Sequence, residues 1–326
     1  MISYLVHTYL PVMPGLPTWL DTLLPTWVKP LWLVALLALD AVILLVLVRA
    51  LLRRVAPKVA AIAATTAREA FSQPLFYLLV AIGVAAFFIF PFVPYNTFGE
   101  DIKFVKDEGL TLIMVLTIVL AVWTASISVA EEIDGRTALT LLSKPIGRRQ
   151  FILGKFLGVL FPVVVMFIIL GMFYLPTVSY KVPYDAFESA QPEPSPAVCL
   201  QEMVHVVPGL GLAFYRVVIF ASIAVAISTR LPMLPNLMIC GTVYVLGHLI
   251  PLVVASSVGQ LEYVRFAGNL AATILPGLDH FSMNTAIFTG DPVPPQFLLM
   301  AGVYCILYST VAMLVALLLF EDRDLA

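Results

Sequence analysis

Seven apolar stretches constrain this chain more than any other feature: about 31–52, 75–94, 110–130, 156–178, 213–229, 234–256 and 299–320. A membrane-crossing helix needs about 20 mainly apolar residues, because in hydrocarbon every backbone N–H and C=O must be satisfied within the segment. With 61% hydrophobic and 12% charged residues, the chain stands far from a soluble domain, where roughly a quarter of residues are charged. The fold class that follows is an all-α integral membrane protein. The formal charge of -2 leaves no broad basic surface, so a nucleic-acid partner is not expected.

The polar connections orient the spans. If the first helix runs outside to inside, one face receives twelve basic residues: Arg49, Arg53, Arg54, Lys58, Arg68, Arg136, Lys144, Arg148, Arg149, Lys155, Arg230 and Arg323. The other receives five, Lys29, Lys103, Lys106, Lys181 and Arg265, with Arg216 left in a helix end. The positive-inside rule makes the first face cytoplasmic, with the N-terminus outside and the C-terminus inside. The first 30 residues carry five prolines, at 11, 14, 17, 25 and 30, and no basic n-region, which reads against a cleaved signal peptide.

Between the first two spans, KVAAIAATTAREAFSQPLFY is too polar to cross but long enough for an interfacial helix with Lys58 and Arg68 toward the headgroups; Pro74 then turns the chain into the second span. Residues 179–212 read as an outer loop bearing proline and glutamate. The half-apolar 257–298 reads as short re-entrant-like helices before the last span, covered by protein.

Motifs for chemistry are sparse. Gly147 to Gly154-Lys155 is the nearest approach to a P-loop, but six residues separate its glycines and Phe156 stands where a metal-binding hydroxyl belongs. Gly209 and Gly211 lack the third glycine and preceding strand of a dinucleotide fingerprint. Cys199, Cys240 and Cys305 are far apart, and His7, His205, His248 and His280 never occur at metal-ligand spacing. Asp279-His280 is the best pair for proton chemistry, although adjacent residues of one element point different ways. Asp40 lies in the middle of the first span, where a carboxylate costs roughly 2.5–3.5 kcal/mol. It is a possible intramembrane polar site, or a group protonated or hydrogen-bonded to a neighbouring helix. Arg216 reads as the start of the fifth span, able to snorkel outward.

The longest polar interruption is EEIDGRTALTLLSKPIGRRQFILGK, from Glu131 to Lys155. Thr137 to Ser143 can form a short helix with Asp134 as N-cap, Pro145 as its stop and Lys144 at the C-terminal end, where the helix dipole favours a cation. Its apolar side carries Ala138, Leu141 and Leu142. An ordinary loop needs only the charges that set topology, whereas exposed leucines on a capped helix suit a groove on another protein. Beyond Gly147, Arg148 and Arg149 sit at headgroup level, and Gly154 and Gly158, four apart, permit close helix contact.

These residues resemble a family. Glu131, Gly135, Thr137, Leu141, Leu142, Ser143, Pro145, Arg148, Gly154 and Lys155 match the pattern E-x-x-x-G-x-T-x-x-x-L-L-S-x-P-x-x-R-x-x-x-x-x-G-K of permease subunits of ABC type-2 transporters, with Glu132, Arg149 and Phe151 as further agreements. Arg68-Glu69 to Pro74 resembles the elbow before that family's first membrane helix, and Phe320 to Leu325 its F-E-R-R-D-L ending.

The resemblance implies a six-helix permease domain over 59–326, preceded by 1–58 with one extra span that could pack on a partner or shield the permease edge. It implies a bacterial inner-membrane transport subunit, more usually an exporter, working in a permease homo- or heterodimer. ATP and magnesium would sit on a separate P-loop ATP-binding subunit, with no cofactor, metal or catalytic residue on this chain. The 137–145 segment would be the coupling helix, with Leu141, Leu142 and Pro145 in the ATPase groove. Glu131 and Glu132 would anchor the inner end of the third span, and Arg148, Arg149 and Lys155 would hold the lipid phosphates. Two other classes stay open: a membrane enzyme acting on lipid through Asp279-His280, and an ion-coupled carrier using Asp40.

Overall fold

The computed structural model describes residues 24–94, 100–131, 147–256 and 261–321. Among these residues the chain is helical, and seven helices are long and apolar enough to cross a membrane. We number the helices α1 (Trp32–Val55), α2 (Pro57–Ser72), α3 (Pro74–Ile89), α4 (Asp101–Ala125), α5 (Arg148–Glu188), α6 (Pro196–Ser228), α7 (Met233–Ala255), α8 (Glu262–Ile274), α9 (Asn284–Thr289) and α10 (Pro295–Glu321). Proline opens α2, α3 and α6 within their first two positions, where its missing N–H breaks no helical bond.

The centre of the bundle is α4 and α6, packed on each other and on α5, with α10 closing the far side of α6. α4 is apolar around its whole circumference from Leu110 to Ala125, as a helix surrounded by other helices must be. Ile113, Met114, Leu120 and Ala121 of α4 meet Val217, Phe220, Ala221 and Val225 of α6 in one continuous core. α1 is the least buried span, touching the body along α2 and α5 and leaving Leu36, Leu39, Ile43, Leu44 and Leu47 exposed. Asp40 lies on that exposed side.

Two helices exceed the lengths their apolar stretches suggest. α5 has 41 residues, about 60 Å at 1.5 Å per residue, roughly twice the hydrocarbon thickness. α6 begins at Pro196 rather than near 213. Residues 179–212, read from sequence as a loop, are therefore helical except for the turn at 189–195. Charge pairing carries the helices past the apolar window. The Lys181 ammonium, fully buried, lies 2.9 Å from Asp185 Oδ1 one turn on, 3.6 Å from Asp101 and 3.9 Å from Glu188, and donates to the Pro91 carbonyl at 3.1 Å. Asp185 Oδ2 in turn accepts from the Ile102 N–H at 3.0 Å, satisfying an orphan donor at the start of α4. Lys106 pairs with Glu202 nearby, and the Tyr174 hydroxyl donates to the Lys106 carbonyl at 2.7 Å.

α2 shows why small residues recur before the second span. Its buried positions, Val59, Ala60, Ile62, Ala63, Thr66, Ala67 and Ala70, repeat every three to four residues and form one stripe. That stripe lies against α5 where Gly154 and Gly158 face it. A Cβ at Gly154 would fall 2.7 Å from Ile62 Cβ, and one at Gly158 would fall 2.6 Å from Thr66 Cβ and 3.1 Å from the Ala63 carbonyl. Two backbones this close leave no room for a side chain. Gly158→Val is expected to force α2 outward and cost about 1–3 kcal/mol, read as a lower unfolding temperature of the purified chain in detergent; an unchanged midpoint would contradict this packing.

Candidate functional site

At its C-terminal end, α4 passes into a π-helical turn over Ser126–Glu131. Such turns interrupt the i to i−4 ladder and occur often where a helix serves a function. The turn is pinned by Asn236 near the start of α7. This fully buried side chain donates through Nδ2 to Ser126 Oγ at 2.9 Å, Ser228 Oγ at 2.8 Å and the Ala224 carbonyl at 3.2 Å. Its Oδ1 accepts from Cys240 Sγ at 3.4 Å. One amide thus ties α4, α6 and α7 at the level where the chain leaves the third span. Trp123 Nε1 donates to Gln73 Oε1 at 2.8 Å, adding the α2–α3 corner to the same assembly.

α5 departs from the same end. Gly147, in extended conformation, is its N-cap, and Arg148 and Arg149 are exposed at its first turn. Phe151 is buried and stacks on Phe320 near the end of α10, with ring centroids 5.6 Å apart and planes 21° apart. A residue of the loop pattern thus meets a residue of the C-terminal pattern. Lys155 is only 1% exposed, with its ammonium 5.7 Å from the Phe151 ring centroid. The expectation that Lys155 holds lipid phosphates is corrected here: its position on α5 is buried, whereas Arg148 and Arg149 are exposed. Glu131 closes the π-helical turn. Glu132, Gly135, Thr137, Leu141, Leu142, Ser143, Lys144 and Pro145 lie outside the described residues, as do Asp322 to Leu325. The segment 132–146 is thus flanked by the π-helical turn that follows α4 and by the N-cap of α5.

A second polar feature lies nearer the start of α4. Asp107, Thr111 and Met114 of α4, Arg216 of α6, Tyr244 and His248 of α7, Asp279, and Phe281 to Met283 line a cavity of about 370 Å³. Arg216 lies more than halfway along α6, because the helix starts at Pro196. It is therefore not the snorkelling helix-end group that the sequence suggested. Its Nη1 reaches only the Met114 sulfur, a weak acceptor, at 3.5 Å, and its buried Nε has no hydrogen-bond partner among the described residues. His248 Nδ1 lies 2.9 Å from the Tyr244 carbonyl, and the two rings sit 4.6 Å apart. Asp279 and His280 diverge: Asp279 lines the cavity, whereas His280 packs edge-on to Tyr304 with centroids 5.6 Å apart. Asp40 lines neither this cavity nor the one beside α1.

Sequence reasoning missed both the cavity and the Asn236 clamp. Asp107, Arg216, Tyr244 and Asp279 come from four distant segments, and the sequence singled out Arg216 and Asp279 only separately and for other roles. A lone asparagine at the start of the sixth span was the corresponding signal for the clamp.

Comparison with curated proteins finds no match. A family model described as "ABC-2 family transporter protein" matches residues 27–325. The match takes in α1, which the reading of the sequence had set apart with residues 1–58. Matched over nearly its whole length, with seven membrane-length helices around an α4–α6 centre, the chain belongs to the ABC-2 family of transporter proteins.

Proposed function

We propose that this chain is the membrane-spanning permease of an ATP-driven exporter, with hydrolysis on a separate P-loop subunit that holds ATP and magnesium. The observation that carries the reading is the attachment of segment 132–146. It joins α4 at a π-helical turn to α5 at Gly147, and the Asn236 amide ties that turn to α6 and α7. A force applied to this segment reaches four spans at once. A loop serving only topology would need no such anchorage.

In this reading Thr137 to Ser143 is the coupling helix, Leu141, Leu142 and Pro145 enter the ATPase groove, and Glu131, Glu132, Gly135, Arg148 and Arg149 frame it. The N-terminus is outside and the C-terminus cytoplasmic, in a bacterial inner membrane. α2 lies at the cytoplasmic interface, and two permeases, identical or related, form the translocation path. α3–α10 and α2 make up the permease core, and α1 is its added N-terminal helix. The Arg216 cavity gives the path a polar station in its outer half, where a desolvated guanidinium can receive an acceptor group of the cargo.

Affinity purification of the tagged full chain from its own membranes tests the proposal. A P-loop ATPase is expected in stoichiometric amount, and the complex is expected to hydrolyse ATP. Recovery of the intact chain without any such subunit, from gently solubilised membranes, would overturn it.

A further inference from the structure

We propose that the groove between α1, α2 and α5 is a binding site for an anionic phospholipid of the cytoplasmic leaflet. The inference goes beyond the transport reading and stands on topology and geometry alone. The groove encloses about 560 Å³. Its walls are apolar, with Leu45 and Val48 of α1 facing Leu160, Phe161 and Val164 of α5. Three guanidinium groups line the same space, Arg49 and Arg53 from the last turns of α1 and Arg68 from α2, and no lining residue is acidic.

The dimensions suit one leaflet. From Ala41 to Arg53 the groove follows α1 for thirteen residues, about 18 Å, close to the roughly 15 Å of hydrocarbon that one leaflet supplies. The arginines occupy only the end toward the basic, cytoplasmic side, and the other end is purely aliphatic and aromatic. Arg49 lies over the Phe161 ring, 5.3 Å from its centroid, which fixes the guanidinium plane and leaves its edge N–H groups to an acceptor. Among the described residues no carboxylate forms an ion pair with Arg49, Arg53 or Arg68. A phosphodiester matches this triad, since guanidinium forks bind phosphate oxygens in bidentate fashion. Free phosphate would use the arginines and leave the apolar slot unfilled. A phospholipid satisfies both ends, and basic pockets between membrane helices on the cytoplasmic side are recurrent headgroup sites. α1 then acts as the outer wall of a lipid site, which gives a physical role to a helix with few other contacts.

The test uses the full chain in nanodiscs containing equal parts phosphatidylcholine and phosphatidylglycerol, with retained lipid identified by native mass spectrometry. Retained phosphatidylglycerol is expected to exceed phosphatidylcholine, with on the order of fivefold preference contributed per arginine at low salt. Arg49→Gln/Arg53→Gln/Arg68→Gln should bring the ratio to about one, as expected for loss of the per-residue electrostatic attraction. Val164→Trp, which fills the slot and leaves the arginines in place, should reduce the amount of both retained lipids. Arg230→Gln, at an exposed arginine outside the groove, should keep the preference. Equal retention of both lipids by the native chain, an unchanged ratio in the triple variant, undiminished lipid in Val164→Trp, or equal loss in Arg230→Gln would each overturn the proposal.

Discussion

Leu141→Glu, and separately Leu142→Glu, are expected to abolish co-purification of the ATP-binding subunit while leaving membrane insertion of the chain intact. The expected loss of affinity is at least about 30-fold. An apolar anchor at the centre of an interface contributes 2 kcal/mol or more on truncation to alanine, and a carboxylate in the same pocket adds the cost of burying an unpaired charge. The two leucines are adjacent on a segment whose flanks, the π-helical turn ending at Glu131 and the α5 N-cap at Gly147, belong to the ordered bundle. Substitution between those flanks is expected to change what the segment can dock against. Undiminished co-purification in both variants, measured in mild detergent, would remove the docking role of these leucines.

Lys181→Met is expected to be the most destabilising single change at the C-terminal end of α5, by about 3–5 kcal/mol, because it removes one partner of a buried ion pair and leaves the others uncompensated. The ammonium lies among Asp101, Asp185 and Glu188, with the first two carboxylates also largely buried. The three carboxylate groups converge within 4.8 Å of one another, and the lysine supplies the positive charge that such a convergence needs. Without it, Asp101 and Asp185 repel across the contact that starts α4 and extends α5. The check is thermal unfolding of the purified variant in detergent. Adding Asp185→Asn to Lys181→Met should recover part of the loss, since the pair is coupled. A midpoint equal to that of the native chain would show that the cluster contributes nothing to stability.

Hydropathy made the spans legible because a crossing helix must hide about 20 consecutive peptide groups in apolar cover, and this requirement is written locally. It made their true lengths illegible. The continuation of α5 through Lys181 and Asp185 and the early start of α6 depend on pairing between helices, and a charged turn looks the same in sequence whether it is solvated or paired. Gly154 and Gly158 announced a close contact by their spacing, but nothing local said that the partner would be the stripe of Ile62 and Thr66. Lys155 looked like its neighbours Arg148 and Arg149, yet it lies about two turns beyond Arg148 on the same face of α5, where the helix has already entered the bundle and its neighbours bury it. The Arg216 cavity is a property of four segments meeting and has no local signature. The loop pattern between Glu131 and Lys155, by contrast, is local, and it pointed to the family that the match over residues 27–325 shows.

The 41-residue α5 runs as one helix from the end of the 132–146 segment to the charged cluster around Lys181. Mechanically it is a lever with its two loads at opposite ends. Tilting a rod of about 60 Å by roughly 10° around its middle carries each tip by about 5 Å, so a modest push near Arg148 is delivered undiminished at Lys181. Pro162 and Pro176 stand on either side of the midpoint, each deleting one rung of the hydrogen-bond ladder. They set the stiffness of that lever, and with it how much of a displacement at one end reaches the other.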